Sequence, residues 1–267
     1  MKEFDLYISL GAFCSCTQSL RKSGLQFFSY PYDWMAGGDF YTRVKILTNN
    51  FENWFNKEDL EYFGTRKYPE PRDIYINQKT GIIYNHDFSL CSSLDLEYDK
   101  VKEKFNRRIK RLISQIENAN TVLFVYIENP DTKNHISNSE IIENYEILKN
   151  RFKNTCINIL FLAQADDISY QNRKETLINK YVTKIEFDYS RHNPKNLEEV
   201  NLYQSLKVFN DYKISDKYLI PKNKIEIIKI KIVKMLNLII NIDNVFTKNN
   251  KYKEITILGF NFKIKIR

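Results

Sequence analysis

The stretch LDLEYDKVKEKFNRRIKRLISQIEN, residues 94–118, runs almost directly into TVLFVYI, residues 121–127, and this pair decides the fold. Val101, Phe105, Ile109, Leu112, Ile113 and Ile116 recur at helical spacing, with Lys102, Lys104, Arg107, Arg108, Lys110 and Arg111 over much of the rest. The uncharged run after it reads as a strand covered on both faces, the habit of parallel sheets. The same alternation continues downstream: a helix over 139–153, a strand over 156–163, a helix near 171–180 and a strand over 182–187. Upstream, an apolar strand over 4–10 stops at Gly11, and a short helix over 15–23 ends with Gly24 as its C′ residue and Leu25 behind it. The expected fold is α/β, three-layer, with a mostly parallel sheet flanked by helices.

The intervening segments are less regular. Residues 27–60 are rich in aromatics, with a helix over 39–49. Residues 61–80, with Pro69 and Pro71, read as an irregular excursion, and residues 81–84 as a short strand leading to Asn85-His86-Asp87. Beyond residue 215 the character changes. An Ile- and Lys-rich helix over 222–242, a polar break at 247–253 and a β-hairpin within 255–266 form a C-terminal appendage. The expected domains are 1–215 and 216–267.

Charge follows that division. Residues 1–215 carry 29 Lys+Arg and 29 Asp+Glu, while residues 216–267 carry 12 and 4, so the appendage holds the whole net charge of +8. Such a segment suits an anionic membrane surface or a protein partner. No nucleic acid is expected, because the basic residues accompany no nucleic-acid reading motif. The first residues lack the apolar core of a secretory signal, and four cysteines without close pairing do not make a disulfide framework. A soluble, cytoplasmic protein is expected, with the appendage allowing a peripheral place on the inner membrane face.

Few residues are equipped for chemistry. There are three histidines: His86 at a strand end, His135 in a loop where it reads as simply solvated, and His192. Cys14 falls just beyond the first strand, at the start of the first helix. There the helix dipole and unbonded backbone N–H groups favour a thiolate and offer an oxyanion nest. Cys16 does not share its helix face, and Cys91 and Cys156 read as structural. No CxxC, HExxH, GxGxxG or GxxxxGK[ST] occurs, so neither a metal nor a nucleotide cofactor is expected.

Taken together, several boxes carry a resemblance. Ile8-Ser-Leu-Gly-Ala-Phe-Cys14, Leu20-Arg-Lys-Ser-Gly-Leu25, Ser29-Tyr-Pro-Tyr-Asp-Trp34 and Tyr84-Asn-His-Asp-Phe88 resemble DUF1796, a bacterial family named for papain-like cysteine peptidases. Tyr32 stands where that family carries phenylalanine. The resemblance spans about residues 4–165. It implies Cys14 as nucleophile, His86 as base, and Asp33 or Asp87 as the carboxylate that orients the imidazole. Cys14 would attack an acyl carbon, and water or another acceptor would resolve the thioester. A weaker likeness joins residues 252–266 to short basic tails of proteins from bacterial surface-polysaccharide loci.

Three functions are open on this reading. The first is a cysteine-nucleophile hydrolase or acyltransferase acting on an acyl, peptide or glycan substrate. The second is a transferase or modification enzyme of surface glycans, with Arg107, Arg108 and Arg111 holding a phosphate; the substrate-binding candidates are Trp34, Arg107 and Arg111. The third is a non-catalytic protein that docks through 216–267.

Overall fold

The computed structural model describes residues 1–67, 70–129, 135–189, 207–215, 240–247, 250–257 and 260–266, with backbone alone for the last three segments. The chain divides into two compact units, Met1–Tyr218 and Leu219–Arg267.

The first unit opens with β1 (Lys2–Phe4), β2 (Leu6–Ser9) and α1 (Cys14–Lys22), followed by β3 (Met35–Gly37) and α2 (Phe40–Thr48). Next come β4 (Leu60–Arg66), β5 (Arg72–Asn77), β6 (Ile82–Ser89), α3 (Leu94–Asn118) and β7 (Thr121–Ile127). The unit continues with α4 (Asn138–Arg151), β8 (Cys156–Gln164), β9 (Lys174–Asn179), β10 (Val182–Phe187) and β11 (Tyr212–Ile214). The central sheet has the order β2-β7-β8-β10-β9. Its first four strands are parallel and β9 is antiparallel to β10. This mostly parallel sheet with its helices bears out the three-layer α/β class.

Local chemistry explains the element ends. In α1, Gly24 takes φ +67°, its N–H donates to the Arg21 carbonyl and the Leu25 N–H to the Leu20 carbonyl, a Schellman closure. Asp39 caps α2 by accepting from the Thr42 N–H, and Ser137 with Glu140 forms a capping box on α4. Tyr98, Val101, Phe105, Leu112 and Ile116 form the buried stripe of α3, spaced three, four and seven apart as a 3.6-residue period requires. Phe105 packs on Trp54, Phe55 and Tyr84 at ring distances of 5.1, 5.1 and 5.9 Å. That aromatic cluster is the reason residues 27–60 are so rich in rings.

Several expectations are corrected. The irregular excursion at 61–80 contains β4 and β5, which join β6 and β3 in a four-stranded antiparallel sheet of order β3-β6-β5-β4. The alternation in Arg72–Asn77 buries Asp73, Tyr75 and Asn77 on one face, and two polar side chains in that set disguise it as loop. The strand expected at 81–84 extends to Ser89, so Asn85, His86 and Asp87 lie inside it. The helix expected near 171–180 is strand β9, an edge strand that exposes Lys174, Glu175 and Leu177. Cys91 and Cys156, read as structural, are exposed.

In the second unit β12 (Ile240–Thr247), β13 (Asn250–Ile257) and β14 (Phe260–Ile266) form a three-stranded antiparallel meander, one strand more than the hairpin expected. The end of the helix placed over 222–242 falls on β12, and the rest lies outside the described residues. The polar break at 247–253 holds the start of β13. Among the described residues no helix is long and apolar enough to cross a membrane.

Candidate active site

The corner between β2 and α1 is built by close packing. The Leu10 N–H donates to the Val125 carbonyl at 2.7 Å and the Ala12 N–H to the Ile127 carbonyl at 3.3 Å, so the turn lies along the carboxyl end of β7. Gly11 is required there: a Cβ would sit 2.5 Å from Cys16 Cβ and 3.0 Å from its sulfur. Phe13 is the N-cap residue in extended conformation, and no side chain caps the helix. The Cys16 N–H turns back to the Phe13 carbonyl at 3.3 Å, so the first turn is closed by backbone and not by a side chain. Cys14 is the first helical residue and is half-buried, whereas Cys16 is fully buried with its sulfur 3.5 Å from the Val125 carbonyl. Burial pushes the Cys16 thiol up to about 12, which keeps it protonated and inert.

Cys14, Thr17 and Arg21 share a face of α1, and the last two bond Asp33. Asp33 has no exposed surface. Its carboxylate accepts from Thr17 Oγ1 at 3.2 Å, Arg21 Nη2 at 3.3 Å, Gln26 Nε2 at 2.9 Å and the Tyr30 N–H at 2.8 Å. Burial raises its pKa, opposed by those donors and by the Arg21 charge. Asp33 therefore ties α1 to the segment before β3. Trp34, the next residue, is half-buried, with the Arg21 guanidinium 5.6 Å and the His86 ring 5.7 Å from its ring.

His86 sits in a bulge. Tyr75 pairs with Tyr84 and Asp73 with Phe88, so Asn85, His86 and Asp87 face the single residue Ile74. The extra residues release the side chains from strict alternation. Arg66 Nη1 lies 3.0 Å from His86 Nδ1 and 2.9 Å from Nε2. Burial and then the Arg66 charge lower the His86 pKa to about 4. Asp87 bonds Lys104 Nζ through Oδ1 at 2.6 Å, and its Oδ2 is buried with no partner among the described residues. The hydrogen-bond partner of the imidazole is thus an arginine, and both candidate carboxylates bond elsewhere.

The depressed His86 pKa has a consequence for stability. The unfolded chain binds a proton at this histidine near pH 6.5, and the folded chain only near 4. Stability from this group is complete above about 6.5 and falls as pH drops toward about 4. Urea midpoints measured between pH 7 and 4 should show that loss, and His86→Asn should flatten it; an identical slope in the variant would refute the assignment.

The three arginines of α3 separate. Arg107 is exposed and pairs with Glu103 at 2.7 Å, away from the Asp33 network. Arg111 donates to the Ser29 carbonyl at 3.1 Å and covers the Phe28 ring. Arg108 turns inward: burial lowers its pKa, with Asp87 and Asp33 opposing and Arg21 and Arg111 adding to that shift. The sequence had weighted Arg107 and Arg111, and helix phase alone did not single out Arg108. Arg66 was missed because it lay in the stretch read as irregular. His135, read as solvated, has its Nδ1 2.9 Å from Glu128 Oε2.

A cavity of about 350 Å³ lies elsewhere, lined by Tyr170, Arg173, Glu175, Ile185 and Tyr212 among others, and includes none of these residues. Among the described residues no group of three or more His, Cys, Asp or Glu is placed to hold a metal ion.

The fold thus sets a cysteine at the first strand-to-helix corner of an α/β sheet, on a helix that Thr17 and Arg21 tie to the buried Asp33 before Trp34. Residues 5–166 match the family described as "Putative papain-like cysteine peptidase (DUF1796)", and the chain belongs to that family. An uncharacterised protein of Acanthamoeba polyphaga mimivirus, R408, is 26% identical over 175 residues, covering 60% of this chain and 78% of that protein. No solved structure matches the chain. Nothing in these matches supports the bacterial surface-polysaccharide setting expected from the tail.

Proposed function

We propose that the chain is a cysteine-dependent hydrolase or acyltransferase whose nucleophile is Cys14. The observation that carries this reading is the contrast at the β2–α1 corner. Cys14 is half-buried on the uncapped first turn, and its neighbour Cys16 is sealed and held as a thiol. A helix N-terminus stabilises a thiolate, and its N–H groups suit the oxyanion of a tetrahedral intermediate. The sulfur attacks an acyl carbon, the leaving group departs with the proton, and water or another acceptor opens the thioester. Arg21, Arg108 and Trp34 offer a cationic and aromatic wall for the substrate. His86, neutral and facing Arg66, suits hydrogen bonding to substrate better than a thiolate–imidazolium pair.

The test is competitive alkylation with iodoacetamide, mapped by mass spectrometry. Cys91 and Cys156 are exposed and serve as internal references. At pH 6.5 Cys14 should react about tenfold faster than either, the effect of a thiol pKa lowered by about one unit from 8.5. Rates for Cys14 at or below those of Cys91 across pH 6–9 would remove it as nucleophile.

A further inference from the structure

At the carboxyl end of β7 the chain passes from Ile127 to Glu128, whose side chain is only 2% exposed. A buried carboxylate needs donors, and the described residues supply two. The His135 Nδ1 lies 2.9 Å from Oε2 and the Ile136 N–H 3.3 Å from Oε1. The Glu128 backbone is held as firmly, its N–H donating to the Leu162 carbonyl at 2.9 Å and its carbonyl accepting from the Tyr189 hydroxyl at 2.6 Å. An ionised carboxylate only accepts, so Nδ1 of a neutral His135 carries its proton and Nε2 is left with a lone pair. The His135 side chain is half exposed and its bonded nitrogen is Nδ1, which leaves Nε2 as the nitrogen for proton transfer.

The location is as telling as the pairing. The Ala12 N–H bonds the Ile127 carbonyl, one residue before Glu128 and two residues from Cys14. Neighbouring strands lie about 4.8 Å apart, so the Cys14 turn and the Glu128 end occupy adjacent positions on the carboxyl edge of a parallel sheet. That edge is where α/β folds gather catalytic groups.

We propose that His135, oriented by Glu128, is the general base that serves Cys14, an inference that rests on Cys14 being the nucleophile. Nε2 takes the thiol proton as sulfur bonds the acyl carbon. The imidazolium then passes that proton to the departing amine or alkoxide as its bond to carbon breaks. In the second half, Nε2 takes a proton from water, whose oxygen bonds the acyl carbon while the carbon–sulfur bond breaks and sulfur regains a proton. Glu128 is a positioning residue that holds the tautomer and steadies the imidazolium. Among the described residues, the titratable groups beside Glu128 are His135 and the phenols of Tyr126 and Tyr189. Burial holds both phenols protonated at neutral pH.

The experiment is the pH profile of Cys14 alkylation by iodoacetamide in the full chain, for wild type, His135→Asn, Glu128→Gln and His86→Asn. His135 is half exposed, so its variant should keep the wild-type fold, checked by circular dichroism and melting. The expected result is a Cys14 profile moved up by about one unit in His135→Asn, a roughly tenfold slower reaction at pH 6.5. Glu128→Gln should move it part of the way and His86→Asn leave it in place. A His135→Asn profile that overlays wild type, or a shift seen in His86→Asn instead, overturns this proposal and leaves Cys14 as nucleophile. Wild-type Cys14 no faster than Cys91 overturns both.

Discussion

Replacing Asp33 by alanine should destabilise the first unit by about 3–5 kcal/mol, because several buried donors lose their acceptor at once. Thr17, Arg21, Gln26 and the Tyr30 N–H all converge on this carboxylate. The losses are not equal. Arg21 is 31% exposed and can turn toward water, so its ion pair contributes the smaller part. The Gln26 amide and the Tyr30 N–H are buried and have no such escape. Asp33→Asn is the finer test. It keeps the volume but presents an NH₂ group to a site made of donors, so about 1–3 kcal/mol should be lost. Urea midpoints at constant m-value measure both. An alanine variant within 1 kcal/mol of wild type would mean that these bonds add little beyond what water supplies. The functional corollary is that α1 loosens from the segment before Trp34, so Cys14 alkylation in the surviving folded fraction should lose its selectivity.

The parallel part of the fold was legible because its signals are redundant. Residues 121–127 form an uncharged run, α3 has a clean helical stripe, and Gly24 closes α1 where the sequence placed it. The antiparallel sheet was not legible for a specific reason. Its strands carry polar residues in inward positions, Asp73 and Asn77 among them, and bulges at Phe63 and at 85–87 break the period of two on which strand reading depends. The corner holding Cys14 could be read from a strand, a glycine and a helix start. The surroundings of His86 could not: its partner Arg66 is twenty residues away on a strand taken for a loop. Glu128 and His135 are seven residues apart, and neither strand nor helix periodicity links them. A carboxylate closing an apolar strand, followed by a lone histidine, is the one signal that could have pointed to the pair.

Arg43 shows the same limit most sharply, and its replacement carries the other large effect. A basic residue in an amphipathic helix reads as solvent-facing, yet Arg43 has no exposed surface. Its Nε lies 3.1 Å from the carbonyls of both Gly37 and Gly38, and its Nη2 is 2.6 Å from the Gly37 carbonyl. The turn that presents these carbonyls is fixed by glycine, with φ +66° at Gly37 and +62° at Gly38; a Cβ on Gly37 would stand 2.1 Å from the Gly81 carbonyl. The guanidinium also lies 5.3 Å from the ring of Tyr32, whose hydroxyl donates back to the Arg43 carbonyl. Burial lowers the Arg43 pKa, with Tyr126 and Tyr32 first among the groups opposing it. Arg43→Met keeps much of the apolar stem but leaves the glycine carbonyls without this donor, so about 3–5 kcal/mol should be lost. For a unit of this size that is a fall of roughly 10 °C in melting temperature. Arg43→Lys keeps the charge, but a single ammonium cannot span the fork of carbonyls, and it should recover only part of the loss. A methionine variant that melts with wild type would show that the turn holds its shape without the guanidinium. Because β3 follows Asp33 and Trp34 without a break, the turn that Arg43 clamps also sets the position of the wall facing α1.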